Sequence, residues 1–247
     1  MIVWFDALDS TNAYGLREAE RLASGTLVVA GVQTAGRGRR GTTWHSPAGA
    51  GFYGSLVVKV NPRVYPEAVW SQLAGLVALI AAREHGVAGA WLKWPNDVYA
   101  GDRKLAGVLA EAKVLSADEE AIVLGMGMNL NLDAAATAAI GRPVTSVLLE
   151  TGKQVEVRAL AESIHGIAER YLSQLQREGA ALVFAAWLAE DRLVGRHVVV
   201  NTEVEPIEGT VAGLGADGAL ELRLADGSRR RFLAGDVSLT GVSACGR

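Results

Sequence analysis

Hydrophobic positions in the first half of the chain form segments whose length and period predict alternating strands and helices. Residues 26–33 are apolar and β-branched, which is typical of a buried strand, and 52–60 alternate loosely like a second strand. The apolar stretch 66–84 predicts a long buried helix. Residues 104–114 and 121–131 predict two more strands, which we expect to pair as antiparallel neighbours.

A shorter helix is predicted near the N-terminus. Residues 9–12 supply side-chain oxygens that can cap a helix start. Leu16, Ala19 and Leu22 then recur at helical spacing, and Gly25 is a suitable stop. Between the long helix and the strand at 104, a short strand is predicted at 91–94.

The pattern changes near Leu193, after two amphipathic helices predicted at 157–177 and 180–190. Beyond that point, turns such as Asp226-Gly227 separate four short predicted strands, at 198–200, 207–211, 219–224 and 230–233. This spacing favours a small β-barrel of roughly fifty residues. The prediction is an α+β chain in two domains, a mixed β-sheet packed with helices over 1–191 and a barrel over 192–247.

A long loop is predicted at 34–51, and its composition suggests a ligand. Glycines there would let the backbone fold closely around a small molecule, and guanidinium groups pair with phosphate or carboxylate oxygens. Trp44 could stack on a base. A solvated basic loop, or one that binds RNA, is the alternative interpretation. The glycines and arginines are consecutive: Gly36, Arg37, Gly38, Arg39, Arg40 and Gly41.

Three further segments suggest chemistry, each with a structural alternative. The segment 93–97, Lys-Trp-Pro-Asn-Asp, could bring a cation and a Mg²⁺-binding carboxylate to a strand end, or be an ordinary turn. Lys104 could reach a ligand lying close to Gly107, or protect a strand edge. Gly125 in an apolar strand indicates either a bulge or a close ligand approach, with Asn129 as a hydrogen-bonding group.

Composition narrows the function classes. The net charge of -3 argues against a protein that is basic overall, so nucleic-acid binding would need a local patch. The single cysteine, Cys245, excludes a disulfide framework within the chain and fits a cytoplasmic protein. The N-terminus lacks the pattern of a signal peptide, and the most apolar stretch, 73–82, is too short to span a bilayer. The P-loop, HExxH and GxSxG motifs are absent.

In order and spacing, these motifs resemble those of the biotin–protein ligase family. Residues 8–12 are similar to the family's opening motif, and 33–41 to its biotin-binding loop. Residues 93–97 match its KWPND signature, 102–109 resemble the strand with its essential lysine, and 125–129 resemble its later glycine-asparagine strand. The resemblance implies the family's class II synthetase-like fold, with an SH3-like C-terminal barrel.

The resemblance also implies an activity and a set of residues. The enzyme would form biotinyl-5'-AMP from biotin and ATP with Mg²⁺, then transfer biotin to a lysine of a biotin carboxyl carrier protein. Lys104 and Arg37 would be catalytic, with Asp97 near Mg²⁺. The implied biotin-binding residues are Ser10, Thr11, Asn12, Gln33, Gly36, Arg37, Gly38, Arg39, Lys104, Gly107 and Gly125. The implied ATP-binding residues are Arg37, Arg39, Arg40, Trp44, Lys93, Asn96, Lys104 and Asn129.

The chain departs from its relatives at Thr42, where many have another arginine. The match begins at Leu8, so we expect a ligase without the DNA-binding domain of some bacterial members, no membrane association, and either a monomer or a homodimer. A lipoate or octanoate ligase is the nearest rival, although its usual RRxxGGG-type motif is absent. A binding module for RNA or a small ligand is the rival from another class. Residues 37–43 are expected to be mobile until a ligand orders them.

Overall fold

A computed structural model describes residues 1–202 and 204–239, which form two β-sheets; Cys245 lies outside the described residues. The larger sheet has the order β1-β2-β3-β7-β6-β5-β4. Only β1 and β2 are parallel neighbours, so the sheet is mixed, as predicted. Its strands are β1 (Ile2–Leu8), β2 (Thr26–Gln33), β3 (Gly51–Val60), β4 (Ala90–Lys93), β5 (Asp97–Ala100), β6 (Arg103–Val114) and β7 (Glu120–Asn129).

Six α-helices accompany this sheet in the described chain. The long central helix is apolar on every side, because it is enclosed between the sheet and the two helices that follow late in the chain. None of the helices in the described residues is long and apolar enough to cross a bilayer. The helices are α1 (Thr11–Arg17), α2 (Ala68–Glu84), α3 (Ala134–Ala139), α4 (Val147–Thr151), α5 (Val157–Glu178) and α6 (Ala180–Glu190).

The first helix starts where the sequence predicts and ends early. Ser10 caps it, its hydroxyl oxygen accepting a hydrogen bond from Ala13 N at 3.4 Å. The helix ends at Arg17, and residues 18–22 continue as hydrogen-bonded turns. Ala19 and Leu22 still pack against the sheet, so their helical spacing reflects a buried face and not a continuous helix.

Strands β6 and β7 pair as antiparallel neighbours, as predicted. Their register sets Gly107 opposite Gly127 and Leu109 opposite Gly125. On the same face, Gly15 of α1 lies so close to β7 that a Cβ there would be 2.9 Å from Val123 Cγ1. The centre of the sheet therefore presents a shallow, glycine-lined floor, with α1 at one side of it.

The second sheet has the order β11-β10-β9-β8-β12 and is antiparallel throughout. Four of its strands fall where the sequence predicts them, and the fifth, β12, was not predicted. Trp91 and Trp94 pack into the hydrophobic cluster of this sheet, although they belong to the larger one in sequence. Its strands are β8 (His197–Asn201), β9 (Pro206–Leu214), β10 (Leu220–Arg223), β11 (Arg229–Phe232) and β12 (Asp236–Leu239).

Candidate active site

A cleft of about 550 Å³ opens over the glycine-lined floor. We call one side the helix end, formed by the start of α1 and Gln33, and the other the barrel end, formed by residues 93–104 and 235–238. Of the predicted site residues, Gly36 and Asn129 are not in the lining. Those that line the cleft are Ser10, Thr11, Asn12, Gln33, Arg37, Gly38, Arg39, Arg40, Trp44, Lys93, Asn96, Asp97, Lys104, Gly107 and Gly125.

The glycines of the floor are required by what lies on them. A Cβ at Gly125 would be 2.2 Å from Asn12 Oδ1, and one at Gly127 would be 2.4 Å from the indole ring of Trp44. A Cβ at Gly107 would be 2.9 Å from Lys104 Nζ. The floor therefore lets the side chains of Asn12, Trp44 and Lys104 lie against the sheet backbone, and the β6–β7 register runs through Gly125 without a bulge.

A buried hydrogen-bond network builds the helix end. Gln33 Oε1 accepts from Thr11 N at 2.8 Å and from Thr11 Oγ1 at 3.1 Å, while Gln33 Nε2 donates to Ser46 Oγ at 3.0 Å. The fully buried Ser55 hydroxyl lies 2.7 Å from Thr11 Oγ1 and also within bonding distance of Asn12 Oδ1. Polar groups this buried are costly unless paired, so the network holds them in one arrangement.

The hydrogen-bonding groups of the Asn12 side chain are all occupied by protein partners. Its Nδ2 donates to Leu109 O at 3.1 Å and to Glu111 Oε2 at 2.9 Å, and its Oδ1 faces Ser55. Glu111 Oε2 also accepts from Arg37 Nη2 at 2.9 Å. The structure thus sets Arg37 beside Glu111 at the helix end.

Charged side chains at the barrel end are paired with one another. Lys104 Nζ lies 2.6 Å from Asp97 Oδ1, with both side chains largely buried, and 5.5 Å from the centre of the Trp44 ring. Lys93 is buried as well, and its Nζ donates to the Tyr99 hydroxyl at 3.3 Å. Burial, with smaller contributions from the nearby carboxylates Asp97 and Asp236, raises the pKa of Tyr99 well above its usual range.

Two side chains of the loop at 34–50, which we call the arginine loop, reach from the larger sheet to the barrel. Arg39 Nη1 donates to Asn96 Oδ1 at 3.1 Å and to Gly235 O at 3.3 Å, while Arg40 Nη2 donates to Asn201 O at 3.3 Å. Burial lowers the pKa of Arg39, with a smaller contribution from the neighbouring Arg40 charge. Arg40 itself has φ 53, a left-handed conformation that is uncommon for a side chain of its size.

The buried carboxylate of Asp191 is hydrogen-bonded to the segment that leads into the barrel end. It accepts from Trp94 N at 3.2 Å, Trp187 Nε1 at 3.2 Å and Leu193 N at 2.6 Å. Desolvation raises the pKa of Asp191 to about 6, although these hydrogen bonds oppose the shift. Trp94 Nε1 in turn donates to Gly218 O at 3.2 Å, so the KWPND segment is held to the barrel.

Two predicted site residues lie behind the cleft wall. Asn129 is buried, and its Nδ2 donates to Thr145 O at 2.9 Å. Gly36 makes room for the loop itself, because a Cβ there would be 2.4 Å from Trp44 O. In this structure both shape the wall and neither forms part of the cleft surface.

Sequence reasoning missed several residues of the site. Ser55 and Glu111 lie inside segments read only as strands, and nothing in the pattern separates them from other polar strand residues. Tyr99 was detectable, because it follows the KWPND segment by two positions. Arg142 and Asp236 enter the cleft lining from segments remote in sequence, and only the folded chain brings them there.

Comparison with known proteins decides the family. Residues 4–129 match the model of the biotin/lipoate A/B protein ligase family, and residues 193–240 match the biotin protein ligase C terminal domain. The chain belongs to the biotin/lipoate A/B protein ligase family. Among curated relatives, it is 32% identical over 232 residues to the bifunctional ligase/repressor BirA of Escherichia coli, covering 94% of this chain and 72% of that protein.

Other members of the family agree with this assignment. The biotin–[acetyl-CoA-carboxylase] ligase of Paracoccus denitrificans is 35% identical over 222 residues, covering 87% of this chain and 91% of the relative. A solved structure of the Aquifex aeolicus biotin protein ligase in complex with biotin and ATP has a TM-score of 0.80 at 28% identity, covering 96% of this chain and 97% of that one. The chain is a ligase of this family, and the predicted fold, a mixed-sheet domain with an SH3-like C-terminal domain, is confirmed.

Proposed function

We propose that this chain is an ATP-dependent biotin–protein ligase that forms biotinyl-5'-AMP and transfers biotin to a lysine of a biotin carboxyl carrier protein. One observation supports this most strongly. A single cleft joins a neutral, hydrogen-bonding helix end to a lysine- and arginine-rich barrel end, which are the two surfaces that a ureido ring and an acyl phosphate need. The Paracoccus denitrificans relative is named as a biotin–[acetyl-CoA-carboxylase] ligase, and the Aquifex aeolicus structure holds biotin and ATP.

The helix end is proposed to hold the biotin ring system. Gln33 has a second amide hydrogen and Ser10 a hydroxyl hydrogen with no partner among the described residues. Thr11 and Gln33 are held rigid by the buried network, so they meet a ligand without reorganising. Asn12 has both amide hydrogens occupied, so its proposed part is to shape the pocket.

The barrel end is proposed to hold ATP and to carry out the first step. A biotin carboxylate oxygen attacks the α-phosphorus of ATP, the bond to the β-phosphate oxygen breaks, and pyrophosphate leaves with its electron pair. Both reactants are anionic, so cations must stabilise the charge that accumulates in the transition state. Lys104 supplies positive charge on the floor of the cleft, and Lys93 and Arg39 also line the cleft.

Magnesium fits this site as an ion that arrives with the nucleotide. The described residues contain no cluster of three His, Cys, Asp or Glu side chains suited to a resident metal. Mg²⁺ bound to ATP commonly takes one or two protein carboxylates and keeps several waters. Asp97 is the proposed carboxylate, because it lies in the cleft beside Lys104. The ion would supply additional positive charge at the phosphates.

The second step needs no enzyme nucleophile. The unprotonated amine of the carrier lysine attacks the acyl carbon, an amide forms, AMP leaves, and the lysine nitrogen loses a proton. The mixed anhydride must be kept from water between the steps. Arg39 and Arg40 already tie the loop to the barrel, so the loop is placed to cover the adenylate.

The decisive experiment is ATP–pyrophosphate exchange with biotin, with lipoate and with neither. Exchange that requires biotin is the expected result. Exchange with lipoate alone would move the chain to the lipoate branch of the same family, and its absence with both acids, in folded protein, would contradict adenylation. Transfer of label from biotin to a recombinant carrier domain then tests the second step.

Three finer assignments go with this function. We propose a cytoplasmic location, since ATP and the carrier of a carboxylase are found there. We propose a domain boundary at 191/192, supported by the two separate hydrophobic clusters. A homodimer is proposed through edge strand β1, which pairs only with β2 among the described strands; sedimentation with and without biotin and ATP would test it.

A further inference from the structure

One carboxylate oxygen joins the arginine loop to the sheet. Glu111 Oε2 accepts from Asn12 Nδ2 and from Arg37 Nη2, each at 2.9 Å. Asn12 belongs to α1, Glu111 to β6, and Arg37 to the loop that follows β2. The contact therefore crosses the helix end of the cleft, where the proposed function places the biotin ring.

We propose that Glu111 is a positioning residue that latches the arginine loop over the helix end and slows the release of bound biotin. This inference rests on the proposed function, because biotin is the ligand held beneath the latch. Glu111 is not in the cleft lining, so it acts through Arg37 and not by touching the ligand.

The two sides of the latch differ in rigidity. Glu111 lies within a long strand, opposite Val123 of β7. Asn12 is fixed by Leu109 O and Ser55, and it lies against the backbone of Gly125. Arg37, by contrast, lies in a loop, joined to the rest of it by an isolated bridge to Thr43. Opening the cleft therefore means breaking the Arg37–Glu111 contact while Asn12 and Glu111 remain in place.

The latch leaves Arg37 able to meet a ligand. A guanidinium has five N–H donors, and among the described residues only Nη2 of Arg37 has a side-chain partner, Glu111. Arg37 also lines the cleft. Glu111 thus orients the Arg37 guanidinium and leaves its other donors available. The same carboxylate oxygen also holds Asn12 of the helix end.

The size of the effect follows from exposure. The Arg37 side chain is 45% exposed and that of Glu111 is 26% exposed. A pair this accessible is screened by water and salt, so we expect a several-fold change and not the loss of orders of magnitude.

Glu111→Gln tests the latch, since it keeps the shape and an acceptor for Asn12 while removing the charge. The dissociation rate of biotin should rise about three- to tenfold, with a matching rise in KM for biotin. KM for ATP should stay within twofold of the wild-type value. Raising ionic strength should speed biotin release from the wild type and have less effect on the variant.

Glu20→Gln is the matched control. Glu20 pairs at 3.3 Å with Lys113, which lies two residues after Glu111 on β6, and the Glu20 side chain is exposed. Its biotin release should match the wild type. A double variant, Glu111→Gln with Arg37→Gln, should release biotin no faster than Arg37→Gln alone, because the two residues act through one contact.

Two outcomes would overturn the latch while leaving the proposed function intact. One is biotin release from Glu111→Gln at the wild-type rate, in protein that shows biotin-dependent exchange. The other is an equal rise of KM for biotin and for ATP, which would indicate general loosening of the strand. Absence of biotin-dependent exchange in the wild type would overturn both proposals.

Discussion

The two ends of the cleft are built on different principles. At the helix end, neutral groups from α1, β2 and β3 bond to one another in a buried network centred on Thr11, Gln33 and Ser55, beside the more exposed Arg37–Glu111 ion pair. At the barrel end, charged side chains on adjacent strands pair with one another, as Lys104 of β6 does with Asp97 of β5. Under the proposed function, the first arrangement suits a neutral ring, and the charged groups of the second would exchange their internal partners for ligand charges.

This difference assigns distinct properties to the two ends. A neutral network in a dry pocket gives discrimination by shape and hydrogen-bond pattern, because a mismatched ligand leaves buried groups unpaired. Paired charges give strong but adjustable electrostatics, because a new anion can replace an internal carboxylate as partner. Substitutions at the helix end should therefore change biotin recognition, and those at the barrel end should change chemistry and nucleotide retention.

Lys104→Ala should have the largest effect. Removing one positioned charge donor commonly costs about 2.7–4 kcal/mol at the transition state, so adenylation should slow by about two to three orders of magnitude. Single-turnover formation of the adenylate would measure this. Lys113→Ala, on the same strand but outside the cleft, should react at the wild-type rate. A loss below tenfold at Lys104 would remove it from the reacting centre.

Asp191→Asn tests the support beneath the barrel end. Since burial raises the pKa of Asp191 to about 6, the folded state retains a proton that the unfolded state loses near pH 4. Wild-type stability relative to the variant should therefore be highest below pH 4 and fall as the pH rises to about 6, by up to about 3 kcal/mol. Urea unfolding at a series of pH values would measure it.

Asp226→Asn is the control, since its effect on stability should change with pH in the opposite direction. Hydrogen bonds from Ser228 lower the pKa of Asp226, so its contribution should be lost as the pH falls. For Asp191, a stability difference between the wild type and Asp191→Asn that stayed constant from pH 4 to 7 would contradict the prediction, because a buried Asp191 carboxylate should titrate within that range.

Gly125→Ala should selectively damage the helix end. Its Cβ would lie 2.2 Å from Asn12 Oδ1, so the Asn12 side chain must move and disturb the pocket. KM for biotin should rise about tenfold while KM for ATP changes little. Gly89→Ala is a suitable comparison, since a Cβ there meets nothing within 4 Å. Equal damage to both substrates would mean that the ends are not independent.

Arg39→Gly should have the smallest effect on formation of the adenylate and a larger one on its retention. The side chain joins the loop to Asn96 and to Gly235 of the barrel, so its loss leaves the cover of the barrel end less firmly held. Adenylate release should accelerate about fivefold to tenfold. Trapping released adenylate with hydroxylamine would follow this. Unchanged release would argue against the loop as a lid.

The sequence predicted most of the fold, and it missed β1 and several short elements. The long elements α2, α5, β6 and β7 repeat a hydrophobic period over many residues, so the pattern identifies them. β5, β12, α3 and α4 are four to six residues long and were not predicted, whereas the equally short β10 and β11 were, because turn residues mark their ends. β1 was missed as well, because its burial is only partial and polar Asp6 interrupts the apolar run.

The candidate site divides in the same way. Residues in contiguous motifs, such as Lys93 to Asp97 or Gly36 to Gly41, are visible as motifs before any folding is known. Glu111, Ser55 and Asp191 are single polar residues in ordinary surroundings, and their roles depend on partners 43 to 99 positions away.

By itself the sequence determined the family, the order of the main elements and the chemical types of the site residues, because these are local properties of the chain. The tertiary structure decided which of those residues share a surface. It set Arg37 beside Glu111, paired Lys104 with Asp97 and placed Trp94 in the barrel's core. Register across the sheet and docking of the barrel are long-range outcomes of packing, and no local pattern specifies them.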